Sequence, residues 1–170
     1  MSTGVFSRVM APVEFEAAKG GELATGRVIE VGEDRISIGE GTVRALELAA
    51  RLAQGGEVCL VHAAHDFMDY ATWMPPERIV EHNRDASLYA TMVLSAIAKE
   101  HCTGVKLRYV IESGKALDVI LDAAKNYPPE AIVLAASARS RVSRAFLGST
   151  ADKVIRRSPC PVMVVPSGTA

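Results

Sequence analysis

The chain has 170 residues, of which 23% are charged and 49% belong to the hydrophobic set AVILMFWYC, and its formal net charge is −1. This balance excludes an intrinsically disordered chain, and the near-zero charge excludes a protein built to coat nucleic acid. Three cysteines without CxxC spacing indicate unpaired thiols in a reducing compartment. The sequence shows neither an apolar run of ~18 residues nor a basic segment followed by an apolar one at the N-terminus, so we expect a cytoplasmic protein that does not bind membranes.

Five short apolar runs predict the strands of a sheet. The runs are continuous rather than alternating, which is typical of strands that are covered on both faces, as in parallel sheets. They lie at residues 8–13, 58–63, 106–111, 131–135 and 162–165.

Helical patterns separate these runs. Apolar residues at i, i+3, i+4 and i+7 begin at Leu46 and again at Leu117, and a longer helix is predicted over Glu77–His101. A last short helix is predicted around Ala151 and must end before Pro159. Alternating strands and helices predict an α/β fold: one domain over residues 1–170, a three-layer sandwich around a five-stranded, mainly parallel sheet.

Residues 24–40 depart from this rhythm. The segments 27–31 and 35–38 alternate with period two about Gly32-Glu33-Asp34, which predicts a β-hairpin inserted after strand 1. The insertion leaves the sheet where ligands of open α/β sheets bind, so three roles stay open for it: covering a site, extending a dimer or contacting a partner.

The blocks of the chain, taken in order, resemble the universal stress protein family. "FSRVMAPVEFE" (Phe6–Glu16) is similar to the family's first strand and turn, and "EVCLVHA" (Glu57–Ala63) to its second strand. The most specific block is "AFLGSTADKVIRRSPCPVMVV" (Ala145–Val165), which resembles the closing Gly-Ser/Thr, helix, Pro-Cys-Pro and final strand. The resemblance implies a nucleotide-binding type of α/β fold, stress or regulatory roles, and dimers that pair through the last strand, here Val162–Val165.

Nucleotide-binding members of that family carry the motif G-x2-G-x9-G-[ST]. The corresponding residues here read A-x2-A-x9-G-S-T, with the glycine positions occupied by Ala135, Ala138 and Gly148. The resemblance places Glu14 at the family's strand-1 aspartate and Ala63 at a position that contacts the base. The implied nucleotide site consists of Pro12, Val13, Glu14, Ala63, Ala135, Ala138, Arg139, Arg141, Gly148, Ser149 and Thr150.

Whether this site still binds an anion is open. Alanine forced into left-handed geometry costs about 1–2 kcal/mol, so two lost glycines would weaken phosphate binding unless the loop simply folds differently. Arg139 and Arg141 could supply charge-assisted hydrogen bonds instead, and a helix that begins near Gly148 offers free N–H groups. The alternatives are that Ser149 or Thr150 is only an N-cap, that Glu14 is a solvated carboxylate, and that the arginines form a solvated face.

Other constellations predict no chemistry. His62, His65, Asp66 and Asp69 follow no firm metal-ligand spacing, so no metal is expected. His101-Cys102 lacks an evident base and orienting group, and no G-x-S-x-G, Walker A or G-x-G-x-x-G sequence occurs, so no catalytic residue is predicted.

The leading hypothesis is a non-enzymatic, dimeric stress protein with a regulatory or protective role, a degenerate nucleotide site and no required cofactor. A second hypothesis keeps ATP or AMP binding through the 135–150 loop. A third, weak nucleotide hydrolysis, has the least support because no base and metal-binding carboxylate pair is visible near the loop. The expected partners are a second copy and other proteins, not nucleic acid or a membrane.

Overall fold

A computed structural model describes residues 4–17, 26–66, 68, 71–136 and 148–166. In chain order its elements are β1 (Arg8–Pro12), β2 (Glu16–Ala17), β3 (Gly26–Val31), β4 (Asp34–Gly39), α1 (Glu40–Leu52), β5 (Glu57–Ala64), α2 (Pro76–His101), β6 (Lys106–Ser113), α3 (Ala116–Asn126), β7 (Ala131–Ala135), α4 (Ser149–Arg157) and β8 (Val162–Val165).

The predicted α/β fold is confirmed, and its central sheet is wholly parallel. The five strands stand in the order β6-β5-β1-β7-β8, and every neighbouring pair is parallel. All five predicted apolar runs form strands, although the first ends at Pro12 rather than Val13 and the third continues to Ser113. β1 is the central strand of this sheet. The chain adds β5 and then β6 on one side of β1, and afterwards β7 and then β8 on its other side.

Helices cover both faces of this sheet, as the three-layer prediction requires. On one face α1 and α2 pack through side chains such as Leu46 and Ile97, which are fully buried. On the other face α3 and α4 pack over Met10, Val61 and Ile132. Within the described residues, no helix is both long and apolar enough to cross a membrane.

The predicted insertion forms a hairpin and also recruits a third strand. β3 and β4 pair antiparallel in the register Ile29↔Ile36, and Gly32 turns between them with φ of 63°. The short strand β2 adds to the far side of β4, giving a small sheet of order β2-β4-β3. A lone hairpin was therefore too simple a prediction, because a two-residue strand carries too little pattern to be recognised. Residues 24 and 25 of the predicted insertion lie outside the described residues.

The small sheet is part of the core. Its inward side chains Ile29, Val31, Ile36 and Ile38 are buried in one cluster with residues of α1 and α2. Arg27 of β3 also pairs with Glu100 of α2 at 3.1 Å. The inner face of the insertion is thus occupied by the protein's own helices.

Candidate functional site

The reversal of strand order creates a crevice between β1 and β7. In an open parallel sheet, the connections on either side of such a point run in opposite directions, which leaves room for a ligand at the carboxyl ends of the strands. Pro12 is the last residue of β1 and Ala135 the last of β7, so both predicted site residues lie at this point. Val13 follows Pro12 and extends the pairing with β5, because its N–H donates to the Val61 carbonyl at 2.8 Å.

The neighbouring strand β5 contributes Ala63 and a histidine that sequence reasoning did not assign to this site. His62 lies with its Nδ1 atom 2.9 Å from the carbonyl oxygen of Val13, so Nδ1 carries the hydrogen and donates it. The Phe15 ring stacks on the imidazole with centroids 4.3 Å apart. Burial lowers the pKa of His62, while the bond to Val13 and the nearby charge of Glu14 act in the opposite direction.

His62 therefore holds the segment that follows β1. Its hydrogen bond and the stacked ring fix the backbone at Val13 and Phe15, between which Glu14 is exposed. A polar side chain inside an apolar strand needs a partner, and this was the signal in the sequence that could have pointed to the contact.

Gly148 begins α4, the helix that connects β7 to β8. It occupies the N-cap position of α4 with φ of 54° and ψ of 142°, a conformation that favours glycine. Ser149 and Thr150 are the first helical residues and are exposed, and the helix has no side-chain cap hydrogen bond. The alternative that Ser149 or Thr150 serves as the N-cap is wrong, because the glycine already holds that position.

The start of the implied phosphate loop continues the sheet. Ala135 is a strand residue, and no residue other than glycine has a positive φ among those the structure describes. Left-handed strain therefore does not arise at Ala135, which agrees with the alternative of a loop that folds differently. The next amide is engaged as well, since the N–H of Ala136 donates to the Val165 carbonyl at 2.8 Å. Ala138, Arg139 and Arg141 lie outside the described residues.

The structure brings no metal ligands together in the part of the chain that it describes. No group of three or more His, Cys, Asp or Glu side chains with metal-binding geometry occurs among the described residues, which include His62, His65 and Asp66. Asp69, the remaining member of the sequence cluster, lies outside them.

Comparison with known proteins agrees with this architecture. The model of the universal stress protein family matches residues 39–166, three quarters of the chain. The chain belongs to the universal stress protein family. The match begins at Gly39, the last residue of the small sheet, so the inserted strands precede the matched region. No curated protein matches the chain significantly.

Solved structures of this family share the fold at low sequence identity. The universal stress protein UspA from Lactobacillus plantarum is 18% identical with a TM-score of 0.63, and the alignment covers 96% of this chain and 99% of that one. A family protein from Arabidopsis thaliana with AMP bound is 20% identical with a TM-score of 0.52, covering 96% and 93%. A universal stress protein in complex with cAMP is 18% identical with a TM-score of 0.56, covering 97% and 100%.

Proposed function

We propose that this universal stress protein is a non-enzymatic regulatory or protective protein of the cytoplasm, and that it acts as a homodimer whose nucleotide site is degenerate. The observation that carries the proposal is the hydrogen bond from the Ala136 N–H to the Val165 carbonyl. A phosphate-binding loop presents its backbone amides to the ligand, whereas this amide is committed to the sheet.

The remaining features of the crevice bind an anion weakly. The first turn of α4 has no side-chain cap hydrogen bond, and an exposed helix N-terminus contributes about 0.3–1 kcal/mol toward a charge. Glu14 lies close enough to His62 to influence its pKa, so a carboxylate stands beside the same crevice.

The dimer is proposed through β8. This strand is an edge of the main sheet, and its four residues Val162–Val165 are apolar and only half-buried. An apolar edge strand offers unpaired backbone groups to another strand. A second copy that presents the same edge would satisfy them around a twofold axis.

A second candidate function is binding of an adenine nucleotide. It is favoured by Gly148 at the N-cap position, because no side chain then forms a capping hydrogen bond with the first backbone N–H groups of α4. The absence of left-handed strain at Ala135 also favours it. The solved relatives described with AMP and with cAMP are compatible with it. Hydrolysis of the nucleotide is the least supported candidate, since no group of three or more metal-ligating side chains is assembled among the described residues.

Thermal unfolding with ATP, AMP or cAMP and Mg²⁺ separates these candidates. Ligand that binds only the folded state raises the melting temperature, so the degenerate site predicts no rise at millimolar nucleotide. Gly148→Ala and Gly32→Ala form a matched pair, because both glycines have positive φ (54° and 63°) and only Gly148 belongs to the implied nucleotide site.

A rise of several degrees that Gly148→Ala abolishes and Gly32→Ala preserves would establish the second candidate in place of the first. Release of inorganic phosphate above a protein-free blank, with the same dependence on Gly148, would establish hydrolysis.

A further inference from the structure

The outer face of α2 carries exposed apolar side chains. Its inner face packs in the core through residues such as Val93 and Ile97, which are fully buried. On the outer face Val80, Leu88 and Met92 are 69%, 57% and 58% exposed. Leu88 and Met92 are one turn apart, so they are neighbours on the helix surface. Apolar side chains grouped on one exposed face indicate an interaction surface.

Two hydroxyl groups in the middle of α2 are already hydrogen-bonded. Oγ of Ser87 donates to the carbonyl of Asn83 at 2.9 Å, and Oγ1 of Thr91 donates to the carbonyl of Ser87 at 2.8 Å. Each hydroxyl thus bonds the carbonyl one turn before it. Covering this face would leave neither donor without a partner, which removes a cost that buried polar groups otherwise impose.

The two ends of the face carry charges of opposite sign. Glu77 lies in the first turn of α2 and Lys99 in its last turn, and neither forms a salt bridge with another described residue. They are separated by about 33 Å along the helix, so they do not pair within one chain. Leu88 is midway between them, about three turns from each, and the three side chains therefore lie nearly on one line along the helix.

We propose that this face binds the same face of a second copy, with the two α2 helices antiparallel about a twofold axis at Leu88. Leu88 then meets Leu88 of the partner subunit, and Glu77 lies opposite Lys99 of the partner subunit, a pair that the symmetry repeats. A parallel arrangement would instead place Glu77 against Glu77 of the partner subunit, and like charges repel. The sequence of charges along α2 therefore favours the antiparallel arrangement.

The other charges of the face fit the same register. Glu81 lies opposite Ser95 of the partner subunit, so it meets no second carboxylate. Arg84 lies opposite Met92 of the partner subunit, where its aliphatic stem covers an apolar side chain.

This contact is separate from the dimer proposed through β8. α2 packs on the side of β5 and β6, whereas β8 is the opposite edge of the main sheet. A few apolar side chains and two exposed ion pairs make a small interface, so we expect it to form at about 100 µM and above. It would then join β8 dimers to one another, and it would form equally without them.

Sedimentation equilibrium of the whole protein, from micromolar concentration to about 500 µM, tests the contact. The average mass should rise above its micromolar value, and it should also rise in Val164→Pro, in which the β8 edge is blocked. Leu88→Glu should weaken this association about tenfold or more, because it places two carboxylates together at the axis. Val28→Glu is the control, since Val28 is an exposed valine of β3. A constant mass, a rise that Val164→Pro abolishes, or equal association of the two glutamate variants would overturn the proposal.

A charge swap tests the antiparallel register. Glu77→Lys and Lys99→Glu should each weaken the association about tenfold, because each places like charges together at two positions. Both changes in one chain restore opposite charges and should restore the wild-type affinity. An effect on helix stability alone would be largest in the double variant, since both changes oppose the helix dipole. Equal affinity of all four proteins, or a double variant no tighter than the single ones, would contradict the pairing of Glu77 with Lys99.

Discussion

The two edges of the main sheet differ in chemistry. β6 carries the charged residues Lys106, Arg108 and Glu112, and Arg108 is held by two hydrogen bonds to Glu57, at 3.1 and 3.3 Å. Its guanidinium also lies 5.0 Å from the centre of the Tyr127 ring. β8 has the sequence Val-Met-Val-Val and no charge. Charged side chains on an edge discourage strand pairing, so β8 rather than β6 is the edge through which we propose that the dimer forms.

The backbone of β8 shows which residues would take part. The N–H of Ile132 donates to the Pro161 carbonyl, and that of Ala136 to the Val165 carbonyl, so the odd-numbered residues of β8 face β7. Because the backbone groups of a strand alternate from side to side, Val162 and Val164 present theirs to the open edge.

Proline at the open edge should have the largest effect. Val164→Pro removes an outward N–H and leaves the pairing with β7 intact, so we expect the dimer to dissociate into folded monomers. The measurement is the mass in solution by sedimentation equilibrium at micromolar concentration, with circular dichroism to confirm folding.

The control is Ile111→Pro on the opposite edge. The N–H groups of Lys106 and Gly114 donate to Gly56 and Ala64 on the β5 side, so the odd-numbered residues of β6 face outward. Ile111→Pro should leave the mass of the dimer unchanged. A wild-type protein that is monomeric, or a Val164→Pro variant that stays dimeric, would argue against the β8 interface.

Removing the charges of β6 should make the two edges more alike. The double change of Lys106 and Arg108 to valine leaves Glu112 as the only charged residue of β6 and removes the Arg108–Glu57 pair. We expect association beyond the dimer that grows with concentration, detectable by light scattering. Particles no larger than the wild type would show that edge charge does not control pairing.

Thiol labelling should give the smallest and most local effect. Burial raises the pKa of Cys59 and of Cys102 to about 11 in each case, whereas Cys160, just before β8, is half-buried. Since the thiolate is the reactive form, a disulfide reagent at about pH 8 should modify Cys160 first and leave the other two unmodified until unfolding. Fast release of more than one equivalent from the native protein would contradict this assignment.

The sequence predicted the parts of the fold that long patterns specify. The five apolar runs became the five strands, and the period-two segments on either side of Gly32 became β3 and β4. It did not predict β2, whose two residues gain their structure from pairing with β4. The sequence also did not predict that the small sheet is buried against α1 and α2, because that packing depends on tertiary contacts.

The candidate site was predicted unevenly. Pro12 and Ala135 end the two strands at the switch point, which the order of strands alone determines, whereas their part in binding a nucleotide stays a prediction. The conformation of Ala135 was left open between left-handed strain and a loop that folds differently, because a motif spacing does not reveal where a strand ends. The contact between His62 and Val13 joins residues 49 positions apart, and pairing of β1 with β5 brings them together.

Isothermal titration calorimetry with ATP and Mg²⁺ tests the degenerate site most directly when the wild type is compared with the double variant Ala135→Gly, Ala138→Gly, which restores the family motif. We predict that the wild type binds with a dissociation constant of about a millimolar or weaker. The double variant should bind about tenfold more tightly, since glycine frees the loop to turn its amides toward the phosphates. Micromolar binding by the wild type, unchanged in the double variant, would contradict the account.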